Sequence, residues 1–150
     1  MKTIKGNFYE CVVRYDKLGE HGALKKVNET YCIEADSFAD AEKKVSDEVA
    51  ILSEGEFEVR NITPARYETV FLNDQSGSDA KYFKAKLEFI TIDEMTLKEK
   101  KTSVYHLVLA SDFADSLRII QEAMASTMVD YVTAQITESK VLELFCKDED

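Results

Sequence analysis

The chain repeats itself, and no other feature constrains its fold as much. Ala35-Asp36-Ser37-Phe38-Ala39-Asp40-Ala41 lies over Ala110-Ser111-Asp112-Phe113-Ala114-Asp115-Ser116 at an offset of 75, with four of the seven positions identical. The stretch from Glu56-Phe57 to Val70-Phe71 lies over Asp130-Tyr131 to Leu144-Phe145 at an offset of 74, matching Ile62-Thr63 to Ile136-Thr137 and Phe71 to Phe145. Upstream, Tyr9, Cys11, Val13 and Tyr15 lie over Phe83, Ala85, Leu87 and Phe89, again at 74. Three motifs in one order, with the offset slipping by one residue at a loop, are what a duplication leaves. The reading is one domain, 1–150, made of two repeats, about 8–72 and 82–146, joined by a linker over 73–81.

Each repeat reads as strand, strand, helix, strand. Tyr9, Cys11, Val13 and Tyr15 alternate with Glu10 and Arg14, the period-two pattern of a half-buried strand, and Phe83 to Phe89 alternate with Lys84, Lys86 and Glu88. Gly19-Glu20-His21-Gly22 predicts a turn before a second strand, and Asp93-Glu94-Met95-Thr96 takes the equivalent place without glycine. Leu107 and Leu109 replace Cys32 and Glu34, which predicts that the later strand is covered on both faces. Ser37 or Asp36, with Asp40, predicts one helix start, and Asp112 with Asp115 predicts the other. The expected apolar stripes are Phe38, Ala41, Val45, Val49, Leu52 and Phe113, Leu117, Ile120, Met124, Met128. Gly55 is placed for a left-handed stop after the first helix. The third strands are long, Pro64 interrupting one and Glu138-Ser139 the other, as at a bulge or a sheet edge. Ser76-Gly77-Ser78 marks the joint between repeats, and Lys147-Asp148-Glu149-Asp150 an acidic, fraying tip.

The expected architecture is therefore α+β: an internally duplicated ββαβ repeat with antiparallel sheet or sheets, two helices on one face and pseudo-twofold symmetry. Alternatively, the third strand of each repeat crosses to pair with the other repeat, making one continuous sheet; the sequence does not decide between the two. With 45% apolar and 32% charged residues, the composition is that of a globular domain. No apolar run approaches the roughly 20 residues a membrane helix needs, and Met1 to Asn7 lacks the apolar core of a secretory signal. Three scattered cysteines make no disulfide framework, so a cytoplasmic setting is expected.

The phrases Phe8-Tyr9-Glu10-Cys11-Val12-Val13-Arg14-Tyr15, Gly55-Glu56-Phe57-Glu58-Val59 and Ala110-Ser111-Asp112 carry a resemblance. In this order they resemble a domain-of-unknown-function family of Bacteroidetes bacteria and their phages and mobile elements. The likeness covers nearly the whole chain. It implies an intracellular, phage-derived protein, and it brings no reaction and no site residues.

Chemistry is sparse. Two histidines, His21 and His106, with no paired ligand spacing argue against a metal centre, and no phosphate-cradling glycine motif is present. Cys11 and Cys32 read as core residues, and pairs such as Glu56 with Glu58 as solvated carboxylates. No catalytic residue, cofactor or metal is expected, and the chain is read as a non-enzyme.

The net charge of −10 divides equally between residues 1–74 and 75–150 and disfavours non-specific duplex binding. One basic feature recurs: Lys25-Lys26 and Lys100-Lys101 occupy equivalent places, and Lys81, Lys84 and Lys86 share a strand with Tyr82. Lysines beside a flat ring are what a single-stranded nucleic-acid platform uses, whereas lysines on strands also simply keep a sheet soluble. The expectation is a binding or assembly module whose partner is another protein, met at a sheet face or free edge; its oligomeric state is left open, a monomer being compatible with the internal pseudo-dimer that the repeat supplies. Single-stranded nucleic acid held by Lys25, Lys26, Lys81, Tyr82, Lys84, Lys86, Lys100 and Lys101 is the alternative, and an acidic mimic of nucleic acid is a weaker third.

Overall fold

The computed structural model describes residues 1–53, 55–73, 77 and 79–147. Ser76 and Ser78 of the expected joint and Asp148 to Asp150 of the acidic tip lie outside the described residues. The fold is α+β. In chain order the elements are β1 (Lys2–Ile4), β2 (Phe8–Leu18), β3 (Leu24–Glu34), α1 (Phe38–Leu52), β4 (Phe57–Ala65), β5 (Tyr67–Leu72), β6 (Lys81–Ile92), β7 (Glu99–Ala110), α2 (Phe113–Ala123), β8 (Asp130–Glu138) and β9 (Val141–Phe145). They form two compact units. The β2 unit holds Gly6–Arg66 and the residues from Lys140 onward; the β6 unit holds Met1–Lys5 and Tyr67–Ser139.

In the β2 unit the sheet order is β4-β2-β3-β9, with α1 across one face. Odd-numbered residues of the β2–β3 hairpin face the helix: Cys11, Val13, Tyr31 and Ile33 pack with Ala41, Val45 and Val49 of α1. Pro64 lies in the edge strand β4, where its missing N–H leaves no central ladder bond unmade. In the β6 unit the order is β1-β5-β7-β6-β8, and Phe71, Phe83, Ala85, Leu87, Val108 and Ala110 pack with Ile119 and Ile120 of α2.

The long third strands of the sequence reading are each two strands. Arg66 separates β4 from β5, and Ser139-Lys140 separate β8 from β9, with the two members of each pair in different sheets. Residues 8–72 and 82–146 thus each contribute ββαββ rather than ββαβ. Nor are the sheets purely antiparallel. β5 runs parallel to β7, and β9 runs parallel to β3. Hairpin neighbours are antiparallel because a tight turn reverses the chain. β9 reaches β3 from far downstream, so no turn dictates its direction.

The helix starts follow their local chemistry. Ser37, the N-cap, accepts the Asp40 amide at 3.1 Å, while the Asp40 carboxylate reaches back to accept the amide of Asp36, one residue before the cap, at 3.0 Å, a variant of the capping box. Asp112 and Asp115 repeat it with Ser111, at 2.7 and 3.0 Å. The stripes are narrower than expected. Ala41, Val45 and Val49 are buried while Phe38 and Leu52 at the helix ends are exposed. In α2 the buried set is Ser116, Ile119 and Ile120, a phase that leaves Phe113 and Leu117 outside it; Met124 is the C-cap and Met128 lies beyond the helix. Ser116 is tolerated there because its hydroxyl donates to the Phe113 carbonyl at 2.7 Å. The helix α1 ends through Ser53 in extended conformation, its N–H on the Val49 carbonyl, so Gly55 is not the left-handed stop.

Leu107 and Val108 are both fully buried, so β7 is covered on both faces as the sequence predicts. Cys32 is likewise fully buried, on the sheet face away from α1.

Candidate binding surfaces

The two central hairpins outrun their sheets. In the β2 unit, β4 pairs with β2 only as far as Tyr15 and β9 with β3 only from Thr30, yet the β2–β3 ladder continues to Leu18 opposite Leu24. In the β6 unit, β8 pairs with β6 as far as Ile90 and β5 with β7 from Tyr105, while the β6–β7 ladder runs out to Ile92 opposite Glu99. Each unit therefore ends in a two-stranded ribbon.

Both ribbon ends carry large apolar side chains in solvent, among polar turn residues. Leu18 and Leu24 face solvent as a cross-strand pair on the first. Its turn closes through the Gly19 amide on the Ala23 carbonyl at 2.8 Å, and Gly22 takes a φ of 77°, which a side chain would resist. On the second, Ile92 is 64%, Met95 94% and Leu97 78% exposed. The Asp93 carboxylate accepts the Met95 and Thr96 amides at 2.8 and 3.0 Å, which holds its pKa below the usual carboxylate range. The Asp93 carbonyl accepts the Leu97 amide at 2.8 Å, and Leu97 sits at φ 58°, the left-handed region. A leucine there costs about 1–2 kcal/mol relative to its ordinary conformation.

The lysines of the sequence reading divide between the units. Lys25 and Lys26 lie on the β2–β3 ribbon; Lys81, Tyr82, Lys84, Lys86, Lys100 and Lys101 belong to β6 and β7. On the β6–β7 face away from α2, alternation places Tyr82, Lys84 and Lys86 together with Lys101 and Tyr105, while Lys81 and Lys100 point to the other face. Three of these lysines are already engaged. Lys81 pairs with Glu138 at 3.2 Å, Lys86 lies 3.9 Å from Glu88, and the Lys84 ammonium sits 4.6 Å above the Tyr105 ring. Tyr82 is buried and offers no ring to solvent. Lys25, Lys26, Lys100 and Lys101 are exposed and make no ion pair among the described residues.

A polar cluster that the sequence reading passes over sits at the base of the first ribbon. Glu29, its side chain 13% exposed, accepts the Tyr15 hydroxyl at 2.7 Å and the Tyr31 hydroxyl at 2.9 Å on one oxygen, with the Lys17 ammonium 3.3 Å from the other. Burial works against the Glu29 charge, but the two hydroxyls and Lys17 outweigh it and hold the carboxyl below its ordinary range. Burial and then the Glu29 carboxylate push Tyr15 up to about 12 and Tyr31 higher still. Glu29 is thus held charged and the two tyrosines held neutral, and the bonds between them brace the base of the ribbon. The signal was in the alternation. The frame that turns Tyr31, Ile33 and Ala35 inward turns Glu29 inward too, beside tyrosines that need a partner.

Other candidates are weaker. A cleft of about 200 Å³ lined by Arg14, Tyr15, Asp16, Lys26, Glu56, Phe57 and Glu58 is smaller than the roughly 300–1,000 Å³ of ligand pockets, and its charges are mixed. Burial raises the Cys11 thiol to about 11, with the Glu10 charge adding to it, and burial raises Cys32 further. Both stay protonated as small core residues. Among the described residues no three His, Cys, Asp or Glu side chains converge as a metal site would require, and no helix is long and apolar enough to cross a membrane.

A family model described as Domain of unknown function (DUF4494) matches residues 7–147. No curated protein and no solved structure matches the chain.

Proposed function

We propose, for a chain that belongs to the DUF4494 family of domains of unknown function, a non-enzymatic role: it is a binding or assembly module whose partner is another protein. The observation that carries this reading is the β6–β7 tip. Ile92, Met95 and Leu97 stand in solvent on a turn that Asp93 pins, and Leu97 is held in a conformation that a leucine avoids. Large apolar groups on a stiff support lose little entropy on docking and supply most of the energy of a small interface. The Leu18–Leu24 pair on the other ribbon gives a second such tip.

The test is affinity purification of the intact chain from its native host, beside a Met95→Asp/Leu97→Asp variant and a Lys84→Glu/Lys86→Glu variant. A complex of fixed stoichiometry that the tip variant loses and the lysine variant keeps supports the reading. A complex indifferent to the tip sinks it. The nucleic-acid alternative keeps one supporting observation, the exposed Lys25, Lys26, Lys100 and Lys101 on the two ribbons, which make no ion pair among the described residues. It requires retention on single-stranded DNA that falls steeply with salt and is lost when these four are changed to Glu.

Duplication is part of the same reading. Besides the sequence offsets, the two units share the helix-cap chemistry, a parallel closing strand, and a ladder irregularity after Val12 in one and after Lys86 in the other, 74 residues apart. The repeats, about 8–72 and 82–146, then differ from the compact units because each gives its last strand to the other's sheet. An origin in Bacteroidetes or their phages and mobile elements rests on the sequence resemblance, and a cytoplasmic setting on that resemblance together with three scattered cysteines that make no disulfide framework.

A further inference from the structure

His106 lies in the middle of β7, 3% exposed, and neither ring nitrogen has a hydrogen-bond partner among the described residues. Its cross-strand neighbours are Thr69 of β5, itself buried, and Ala85 of β6, which has no polar side chain to offer. The ring leans on Phe71 of β5, centroids 5.3 Å apart. The β5–β7 register is irregular between Tyr67 and Thr69, beside His106. A neutral imidazole is awkward in such a place; an imidazolium, with two donors and no acceptor, is far worse.

We propose that His106 is an acid-sensitive latch on the β5–β7 pairing: near neutral pH the uncharged ring packs under β5, and protonation releases that strand. The charged groups that face the ring are few. Burial opposes its charge most, exposed Glu68 on β5 favours it, the Thr69 backbone favours it without reaching hydrogen-bond geometry, and Lys5 after β1 opposes it. β6 presents Ala85, and the buried residues of α2 are Ser116, Ile119 and Ile120, none of them titratable. The net effect lowers the pKa of His106 from its ordinary 6.5. A group whose pKa is lowered by closure favours the closed form above the ordinary value and opposes it as pH falls below. Opening then rises by up to about tenfold per pH unit under 6.5. Released, β5 would leave the ladder groups of β7 free, an edge open to strand addition.

Amide hydrogen exchange on the intact chain, corrected for the intrinsic pH dependence of exchange, tests this directly. Between about pH 7.5 and about pH 5.5, protection of Val70, Phe71 and Leu72 should fall by roughly tenfold. Protection of Glu143, Leu144 and Phe145 in β9, the corresponding parallel strand, should change little. His106→Phe should abolish the difference. Unchanged protection of β5, an equal loss in both strands, or the same loss in a folded His106→Phe variant overturns the proposal. Should that variant fail to fold, titration of the His106 ring by nuclear magnetic resonance in the wild-type chain decides: a midpoint at or above 6.5 overturns it, and a clearly lower one supports it.

Discussion

The two sheets each receive a parallel strand from the far half of the sequence, and each marks the junction with a ring contact. In the β2 unit Tyr31 of β3 stacks on Phe145 of β9, centroids 5.3 Å apart; in the β6 unit His106 of β7 meets Phe71 of β5 at the same separation. Tyr31 and His106 lie 75 residues apart in sequence, and Phe71 and Phe145 lie 74 apart, the offsets on which the proposed duplication rests. Their chemistry differs. Tyr31 has Glu29 for its hydroxyl, whereas Val104 lies 75 residues after Glu29 and, among the described residues, no carboxylate is hydrogen-bonded to His106, Glu68 acting on it only through its charge. The same packing problem has a braced solution in one unit and a bare one in the other. Burial alone therefore does not make two junctions equally secure.

The strongest way to probe the contrast is to remove the incoming rings. Phe71 is buried and Phe145 only half-buried. Phe71→Ala should cost about 3–5 kcal/mol and Phe145→Ala clearly less, measured by urea unfolding. Equal costs would mean that the two junctions bear the same load and that the difference in burial is immaterial.

Removing the brace comes next. Glu29→Ala strands the hydroxyls of Tyr15 and Tyr31, and a destabilisation of about 2 kcal/mol is expected from losing hydrogen bonds to a charged acceptor. Adding Tyr15→Phe and Tyr31→Phe to that variant should restore part of the loss. No recovery would show that Glu29 acts through something other than the hydroxyls.

Acid should separate the junctions without any mutation. His106 is lowered from 6.5, so its unit has full stability above that pH and loses it as pH falls below. Glu29 is lowered from 4.5, so its contribution is intact above that value and is lost only as pH falls under it. The expected order on acidification is β5 first and the β2–β3 ribbon later, read by residue-resolved exchange or tyrosine fluorescence. Simultaneous loss would remove the distinction.

Much of this was legible in the sequence, and the limits have physical reasons. Period-two alternation placed the central strands, and the Asp-rich caps placed both helix starts, because those signals are local. Parallel pairing of β5 and β9 was not legible: Val70-Phe71 and Leu144-Phe145 look like ends of the preceding strands, and no local residue encodes a partner so distant in sequence. The phase of α2 was misread because Phe113 and Leu117 are as apolar as the Ile119 and Ile120 that tertiary packing selects. Of the candidate site, the lysines were visible but the engagement of Lys81 with Glu138 and of Lys84 with Tyr105 was not, since those partners lie on neighbouring strands; Glu88, two residues along β6 from Lys86, was within reach of the sequence. Apolar tip residues gave no signal, as exposed and buried leucines are written with the same letter.

The smallest effect concerns the tips, where the units differ again. Gly22 meets the left-handed requirement of its turn, while Leu97 meets a similar one at a cost. Leu97→Gly should remove about 1–2 kcal/mol of strain and add about 0.5–1 kcal/mol of chain entropy. A net gain of roughly 0.5 kcal/mol is expected, visible as a higher urea midpoint. Gly22→Ala should move the other way. If Leu97 is a docking residue, the stabilised Leu97→Gly chain should bind its partner more weakly even though it folds better. A variant more stable and equally competent in binding would mean that the strained leucine serves no contact, and the β6–β7 tip would then be an ordinary turn.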